Sequence, residues 1–586
     1  MRYFVLACDY DGTIAHNGRV SADTVAALQR FIDTGRRLVL VTGRELDELL
    51  EIFPEVGLFE WVVAENGGLL YRPSNREEKI LAEPPLEDFV QALHKRGVGP
   101  ISVGRVIVAT WEPHETTVLD TIREQGLELQ VIFNKGAVMI LPAGVNKATG
   151  LLTALKQMNL SQHETAGVGD AENDHAFLSL CECSAAVANA LPALKERANL
   201  VTHGDHGVGV AEFIDRIIAN ELADCGPQLT GHDLLIGADD EGREITVPAY
   251  GLSVLIAGPS GSGKSTTTTS LLERLVERRY QFCVIDPEGD YESLEFAIAV
   301  GTGDRGPSVD EVLQVLAQPE QNVVVNLIGL RLSDRPEFFS KLLPQLLELR
   351  QRSGRPHWLI VDEAHHLLPP AWELGTVFAT DVNRTVFITV HPDQVHPAVL
   401  SSVGTVIAVG ANPQDTIGLF CQSQNERPPR IKQSELESGH VLVWPRHAGQ
   451  PPTRVRVAPN TVERRRHIRK YSEGELPPDR SFYFQGPEKK LNLRAQNLIL
   501  FLQLAEGVDD DTWLHHLKQG DYSDWFRTCI KDDVLAGEAE AIERQPQPTA
   551  DATRDSIRKA VERRYTLPTT ASRMTEEKTA AATPAS

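Results

Sequence analysis

Along residues 1–217, short unbroken apolar runs alternate with segments whose apolar positions return every three or four residues. The runs YFVLAC, RLVLVTG, WVVAENG and RVIVAT have the length and β-branched content of buried strands, whereas SADTVAALQRFIDTG carries helical spacing. Strands alternating with amphipathic helices predict βα units around a largely parallel sheet, so this stretch is read as one α/β domain. The stretch 218–249 is polar, Gly-rich and contains Pro, which predicts a linker with a short β segment. A second α/β block follows over 250–458, with LSVLIAG, QFCVID, NVVVNLI, HWLIVDE, TVFITVH and TVIAVG as strand candidates. After Pro459 the pattern turns helical and rich in Leu, Trp and His, predicting a small helical domain over 459–545. Residues 546–586 are polar enough to predict a mostly disordered tail.

A chain of 586 residues is too long for one core, which agrees with several domains. Hydrophobic residues at 41% and charged residues at 24% are ordinary globular values, and no uncharged apolar run is long enough to cross a bilayer. Acidic residues interrupt the first apolar run at once, unlike a secretion signal, so the expected location is cytoplasmic, with no membrane partner. Seven scattered cysteines form no disulfide framework, and Cys181 and Cys183 are too close for a zinc knuckle without a second pair. The net charge of -23 does not support nucleic acid as a partner, although a local basic channel can exist within an acidic whole. Arg464, Arg465, Arg466, Arg469 and Lys470 form the main basic cluster, for which a solvated helix face is the commoner meaning.

Asp9 and Asp11 stand two residues apart at the end of the first apolar run, in LACDYDGT. Alternation along a strand puts both on one side at its carboxyl end, where open α/β sheets bind ligands, and two carboxylates there can divide the work of nucleophile and proton donor. Thr42 ends a second strand in LVLVTGR, Lys147 stands in GVNKATG, and Asp170 and Asp174 stand in GVGDAENDHAF. Taken singly, each has a plain meaning as a polar strand exit or helix cap. In this order the four pieces resemble the haloacid dehalogenase superfamily of phosphatases, and within it the Cof-type and sucrose-phosphatase-like branch. VAENGG at 63–68 and ILPAGVNKATGL at 140–151 match the same branch, so the likeness covers about 210 residues. It implies a Rossmann-like core with an α/β cap at about 69–140. It also implies that Asp9 is the nucleophile that becomes an aspartyl-phosphate, that Asp11 is the acid/base, and that Thr42 and Lys147 offset phosphoryl charge. Mg²⁺ would be held by Asp170 and Asp174 with Asp9, Asp11 completing the ligand set and Asn173 orienting it. The cap sets the substrate in such enzymes, and the expected substrate is a small phosphorylated metabolite, first a sugar phosphate.

The second block opens with LSVLIAGPSGSGKSTTT, a strand, a Gly-rich loop and a helix start that fit GxxxxGK(S/T). Gly258, Pro259, Ser260, Gly261, Ser262, Gly263, Lys264, Ser265 and Thr266 form a phosphate cradle for ATP. In it the glycines turn backbone N–H groups inward, Lys264 meets the β/γ oxygens and Ser265 reaches Mg²⁺. The bare pattern arises by chance in about 2% of chains this long, before the flanking strand and helix are required. The strand in HWLIVDEAHHLLP ends in Asp362 and Glu363, one carboxylate for the metal and one to polarise water. RTVFITVH ends in His391, equally a γ-phosphate sensor or a strand-end residue meeting solvent. With VIDPEGDY at 284–291 and ESGHVLVWP at 437–445, this block resembles the HerA/FtsK-like ring ATPases. The resemblance implies a homo-hexamer with an arginine finger from a neighbour, Arg427 and Arg430 in NERPPR being the candidates. Val390 and His391 stand where relatives usually carry Thr-Gln, and the segment before the cradle is too short for a full HerA-type β-barrel, so DNA movement is less supported than ATP hydrolysis.

In the last part, LNLRAQNLILFLQLAEGVDDDTWLHHLKQGDYSDWF, Asp509 to Asp511 are N-cap material for a helix carrying Trp513, and His515 and His516 read as one surface and one core side chain. The expectation for the whole is a phosphoric monoester hydrolase fused to an ATPase. The rival is a nucleic-acid translocase or defence ATPase whose phosphatase processes nucleotide or nucleic-acid phosphate ends. ATP hydrolysis stimulated by DNA and weakened by salt would separate them.

Overall fold

The computed structural model describes residues 1–565 apart from 135, 224, 226–231, 293, 371–382, 432–434, 447–448, 461–475, 477, 488–490, 531 and 547. The chain divides into two compact units, Met1–Ala458 and Pro459–Ser586. No helix among the described residues is long and apolar enough to cross a membrane, and all seven cysteines are free.

The first sheet of the larger unit has eight strands in the order Leu200–Val201, Cys183–Ala186, Thr165–Gly169, Val5–Asp9, Arg37–Val41, Trp61–Ala64, Leu69–Arg72 and Glu77–Ile80. The first six run parallel and the last two form an antiparallel edge. Every residue of Val5–Asp9 is buried, as a central strand covered on both faces requires. Helix Ala22–Asp33 starts where the Ser21 side chain accepts from the Thr24 N–H, and it buries Ala27, Leu28 and Phe31 against the sheet. A separate four-stranded antiparallel sheet, Leu129–Asn134, Ala137–Pro142, Val108–Trp111 and Ser102–Val103, packs Val108, Val138 and Ile140 against helices Glu87–Lys95 and Glu115–Gln125. The insert therefore starts after residue 80 rather than at 69, because the hairpin Leu69–Ile80 extends the core sheet instead of the cap.

The second large sheet has eleven strands, in the order Glu244–Val247, Leu234–Asp239, Thr453–Val457, His440–Pro445, Val403–Val409, Ser253–Ala257, Thr385–Thr389, Trp358–Val361, Phe282–Asp286, Val323–Asn326 and Ile298–Val300. Strands from Val403–Val409 onward are parallel. The β segment expected within the linker is thus an edge of this sheet, Leu234–Asp239 pairing with Thr453–Val457.

The two domains of this unit meet at the amino ends of their parallel strands. His163, Glu164 and Glu182 precede Thr165–Gly169 and Cys183–Ala186, while Tyr280, Gln281 and His357 precede Phe282–Asp286 and Trp358–Val361. His357 Nε2 donates to Glu164 Oε1 at 2.7 Å and its Nδ1 accepts from the Gln281 N–H at 2.8 Å, so this buried ring is neutral with a fixed tautomer. Arg355 donates to the Asn159 carbonyl at 2.8 Å, and a Cβ on Gly354 (φ 71°) would lie 2.4 Å from the Glu164 side chain. Only glycine permits this close an approach. Because parallel strands share one direction, both carboxyl edges face away from this junction.

The smaller unit pairs a short hairpin, Phe482–Phe484 with Leu493–Ala495, with helices Leu498–Gly507, Asp510–Gln519, Asp521–Thr528, Asp533–Glu543 and Ala550–Tyr565. Asp509 caps the second helix by accepting from the Thr512 N–H, and His516 is buried while His515 is half-buried. The expected tail is corrected in its first part. Ala550–Tyr565 is a helix whose Thr553, Ile557, Ala560, Val561 and Tyr565 are buried, a stripe hidden among many charges. The basic cluster at 464–470 and residues 566–586 lie outside the described residues.

Candidate active sites

Asp9 ends the central strand Val5–Asp9, Thr42 follows Arg37–Val41, Lys147 opens helix Lys147–Gln157, and Asp170 follows Thr165–Gly169. All meet at the carboxyl edge. Lys147 Nζ donates to Asp9 Oδ1 and to Asp174 Oδ1, each at 2.6 Å, and all three side chains are buried. Asp174 Oδ2 accepts from the Asp170 and Ala171 N–H groups at 2.8 and 2.9 Å, and Thr13 donates to Asp170 Oδ1 at 3.3 Å. Asp9, Asp170 and Asp174 present carboxylate oxygens within 4.8 Å of one another. Burial first, and then Asp174, raises the Asp9 carboxyl above its ordinary range, against the pull of Lys147. One ammonium among three buried carboxylates leaves two formal negative charges, and a hard divalent cation fits that donor set. The Asn173 side-chain oxygen is buried with no hydrogen-bond partner among the described residues, its amide donating to Asn66 Oδ1 at 3.1 Å.

Asp11 does not join this cluster. Arg44 grips its carboxylate in a fork, Nε to Oδ2 at 2.6 Å and Nη2 to Oδ1 at 2.7 Å, so its side chain as a metal ligand is corrected to a carboxylate aimed by arginine. Arg44 also pairs with Glu48, and its backbone N–H donates to Thr42 Oγ1 at 3.1 Å. Sequence reasoning quoted LVLVTGR and gave the arginine no role. It also passed over Glu65 in VAENGG, a fully buried carboxylate that accepts from the Arg105, Val106 and Ile107 N–H groups and so ties the insert to the core. Above Asp9 lies a cavity of about 620 Å³, lined on the core side by Asp11, Thr42 and Arg44 and on the insert side by Ile107, Ala109, Trp111, Ala137 and Met139. Residues two apart on adjacent strands line it, the sheet face opposite the one that packs on the helices.

In the second domain, Gly261 (φ 72°) and Gly263 (φ 102°) turn the cradle between strand Ser253–Ala257 and helix Lys264–Glu277. Lys264 Nζ donates to the Pro259 carbonyl at 3.1 Å, and Ser265 Oγ to Asp290 Oδ2 at 3.2 Å. Asp290 stands in the quoted VIDPEGDY but was not singled out. Its loop is held by Asp286, whose carboxylate accepts from the Gly289, Asp290 and Tyr291 N–H groups. Burial first, then neighbouring carboxylates, push Asp362 up to about 8 against the Glu363 N–H that it accepts. Glu363 has a left-handed backbone (φ 44°), a strained conformation common at functional sites, and its Oε2 lies 3.2 Å from His365 Nδ1. His365 Nδ1 also lies 3.1 Å from Thr389 Oγ1, and burial with His366 and His391 pushes this imidazole down to about 4. His391 is exposed, its N–H donating to Thr389 Oγ1 at 3.0 Å. Arg427 and Arg430 are exposed too.

Comparison with known proteins gives this geometry its setting. Residues 6–110 and 106–214 match the model of the haloacid dehalogenase-like hydrolases. Phosphoglycolate phosphatase of Methanothermobacter thermautotrophicus is 32% identical over 222 residues, 36% of this chain and 98% of that protein. The chain belongs to the haloacid dehalogenase-like hydrolases. Phosphoglycolate phosphatase 2 of Saccharolobus solfataricus is 31% identical over 37% of this chain and 94% of its own length. A solved haloacid dehalogenase-like hydrolase from Bacteroides thetaiotaomicron is 19% identical, with a TM-score of 0.34 over 37% of this chain and 100% of its own. Residues 247–358 match the central domain of helicase HerA. The protein is thus a phosphatase domain of that hydrolase family joined to a HerA-type P-loop ATPase domain, the order expected from the motifs.

Proposed function

We propose that the first domain hydrolyses a small phosphate monoester through an aspartyl-phosphate. The observation that carries this reading is the Lys147 ammonium bridging Asp9 and Asp174 at 2.6 Å beneath the cavity, with Asp11 held beside it by Arg44. Asp9 attacks phosphorus as the ester P–O bond breaks, and Asp11, entering the step with a proton in place of one arm of its Arg44 fork, gives that proton to the departing alcohol. Asp11 then takes a proton from water as that water attacks the aspartyl-phosphate, releasing inorganic phosphate and restoring Asp9. Thr42 and Lys147 offset charge on the transferring oxygens. Mg²⁺, bound among Asp9, Asp170 and Asp174, would supply further neutralisation of the phosphoryl group.

The names of the relatives make 2-phosphoglycolate the first substrate to try. Sugar phosphates come second, favoured by the Asn134 side-chain oxygen, a buried acceptor at the cavity wall with no partner among the described residues, which suits a substrate hydroxyl. The second domain is proposed to hydrolyse ATP with Lys264 and Ser265 on the phosphates and metal, Asp362 at the metal and Glu363 polarising water. Phosphate release from 2-phosphoglycolate and a sugar-phosphate panel, with Mg²⁺ or EDTA, in the unmodified protein and Asp9→Asn, tests the reading. Metal-dependent turnover confined to the unmodified protein is expected, and equal rates in both would overturn it. ATP turnover raised by DNA and lowered by salt would instead favour the nucleic-acid reading.

A further inference from the structure

Behind the phosphatase sheet, at the amino ends of its strands, His163, Glu182 and His232 form a second ligand cluster, far along their strands from Asp9. His163 Nε2 donates to the Arg278 carbonyl at 2.7 Å, at the end of the cradle helix Lys264–Glu277, and His232 Nε2 donates to the Cys181 carbonyl at 3.3 Å. A carbonyl accepts and never donates, so Nε2 of each ring is the donor there and Nδ1 of each is turned toward the same carboxylate oxygen, Glu182 Oε2, at 2.8 Å from His163 and 3.9 Å from His232. A cation bound between them would take the place of the hydrogen that His163 Nδ1 donates to Glu182. The geometry points to a divalent transition-metal site of the kind Zn²⁺ takes, formed by Nδ1 of His163, Nδ1 of His232 and the carboxylate of Glu182 at the junction of the two catalytic domains.

The outer groups are those such a site needs. Metal-bound histidines typically donate their other ring N–H to a carbonyl or carboxylate, as both do here. Arg2 donates to the far oxygen, Glu182 Oε1, at 3.2 Å, which orients the carboxylate, and Tyr280 Oη donates to Oε2 at 3.1 Å from the ATPase side. Tetrahedral ligands on zinc stand roughly 3.3 Å apart, so the 2.8 Å contact would open and the 3.9 Å contact close, each by about half an ångström. Two imidazoles and one carboxylate favour zinc-like ions over Mg²⁺, the opposite of the all-carboxylate cluster at Asp9. The ligands come from the loop before Thr165–Gly169, the start of Cys183–Ala186 and the entry to Leu234–Asp239, so a bound ion would pin the first strand of the ATPase sheet to the phosphatase.

The test is titration of the full chain with Co²⁺ in saturating Mg²⁺, reading visible ligand-field absorption, and with Zn²⁺ by calorimetry. His365→Gln is the control for the other candidate cluster, Glu363, His365 and His366 beside the nucleotide cradle. One tight equivalent is expected to weaken at least about 100-fold in His163→Gln and in His232→Gln, and to persist in His365→Gln. Unchanged binding in His232→Gln, whose half-buried ring can be lost without emptying the core, would overturn the site. X-ray absorption at the zinc edge of the unmodified protein decides the matter without any variant. Two imidazoles and a carboxylate support the site, whereas oxygen ligands alone, or no tight zinc, leave only a hydrogen-bonded junction and sink it.

Discussion

Lys147 and Lys264 each occupy the first residue of a helix that begins beside a strand's carboxyl end, yet their amines end in different company. Lys147 lies 2.6 Å from two buried carboxylates, whereas Lys264 donates to its own loop at the Pro259 carbonyl, 3.1 Å away, and pairs with no carboxylate among the described residues. Asp9 therefore has its counter-charge inside the domain, and Asp362, held up to about 8 chiefly by burial, has no ion pair among the described residues. The first site is an electrostatic cluster largely completed by the chain, and the second is a cradle of backbone groups around acids that a nucleotide and its metal would complete. Their placement matches this independence. The domains join at the amino ends of their strands, so the carboxyl edge that carries each candidate site faces away from the shared junction.

The most forceful way to break the comparison is a crossed pair of variants. Asp9→Asn is expected to lower phosphate-ester turnover on the order of 10⁴-fold or more, as removal of the proposed nucleophile should, while ATP hydrolysis stays within about twofold. Lys264→Ala is expected to cost ATP hydrolysis on the order of 10²–10³-fold and leave ester turnover within about twofold. Loss of both activities in either variant would show the sites to be one coupled machine.

A smaller effect sharpens the electrostatic contrast. Lys147→Met leaves Asp9 and Asp174 buried without their shared cation, and removing one partner of a buried ion pair costs about 3–5 kcal/mol. Urea unfolding followed in the phosphatase domain should show that loss, with part of it returned by Mg²⁺. Lys264→Met, which strands no buried carboxylate, should shift stability by about 1 kcal/mol or less. Equal losses in the two variants would erase the distinction.

Much of this was legible in the sequence because the chemistry sits at fixed places in a repeated βα grammar. Strand-end Asp9 and Thr42, helix-start Lys147 and the cradle from Gly258 are local patterns, and local pattern is what a sequence displays. Arg44 and Glu65 were present in quoted motifs, but their roles depend on groups from distant segments, Asp11 for one and the N–H groups of Arg105 to Ile107 for the other. No spacing within one segment encodes such a meeting. The hairpin Leu69–Ile80 was misplaced into the insert for a similar reason, since a strand pair reads the same whether it extends one sheet or begins another. The helix Ala550–Tyr565 was missed because its charged face outweighs a narrow stripe of buried positions.

The smallest expected effect lies at the junction and concerns pH. Burial raises the Glu164 carboxyl from 4.5 to about 7, against the Ser161 N–H and the positive charge of Arg355. A folded state that holds the proton more tightly than the unfolded chain gains stability where that proton is bound. The contribution is therefore complete below about pH 4.5 and is lost as pH rises through about 7, amounting to about 3 kcal/mol at most. His357 acts with the opposite sign, since burial lowers its pKa and its contribution fades as pH falls through 6.5. Comparison with Glu164→Gln cancels that term to first order, because both proteins keep His357. The amide cannot ionise, and its one lost acceptor adds a constant offset without a pH slope. Between pH 5 and 7 the unmodified protein should lose about 2 kcal/mol relative to Glu164→Gln, read by hydrogen exchange at the amides of strands Thr165–Gly169 and Phe282–Asp286. Parallel pH profiles in the two proteins would mean that Glu164 is ionised in the folded junction, with the His357 Nε2–H and the Ser161 N–H holding its charge against burial.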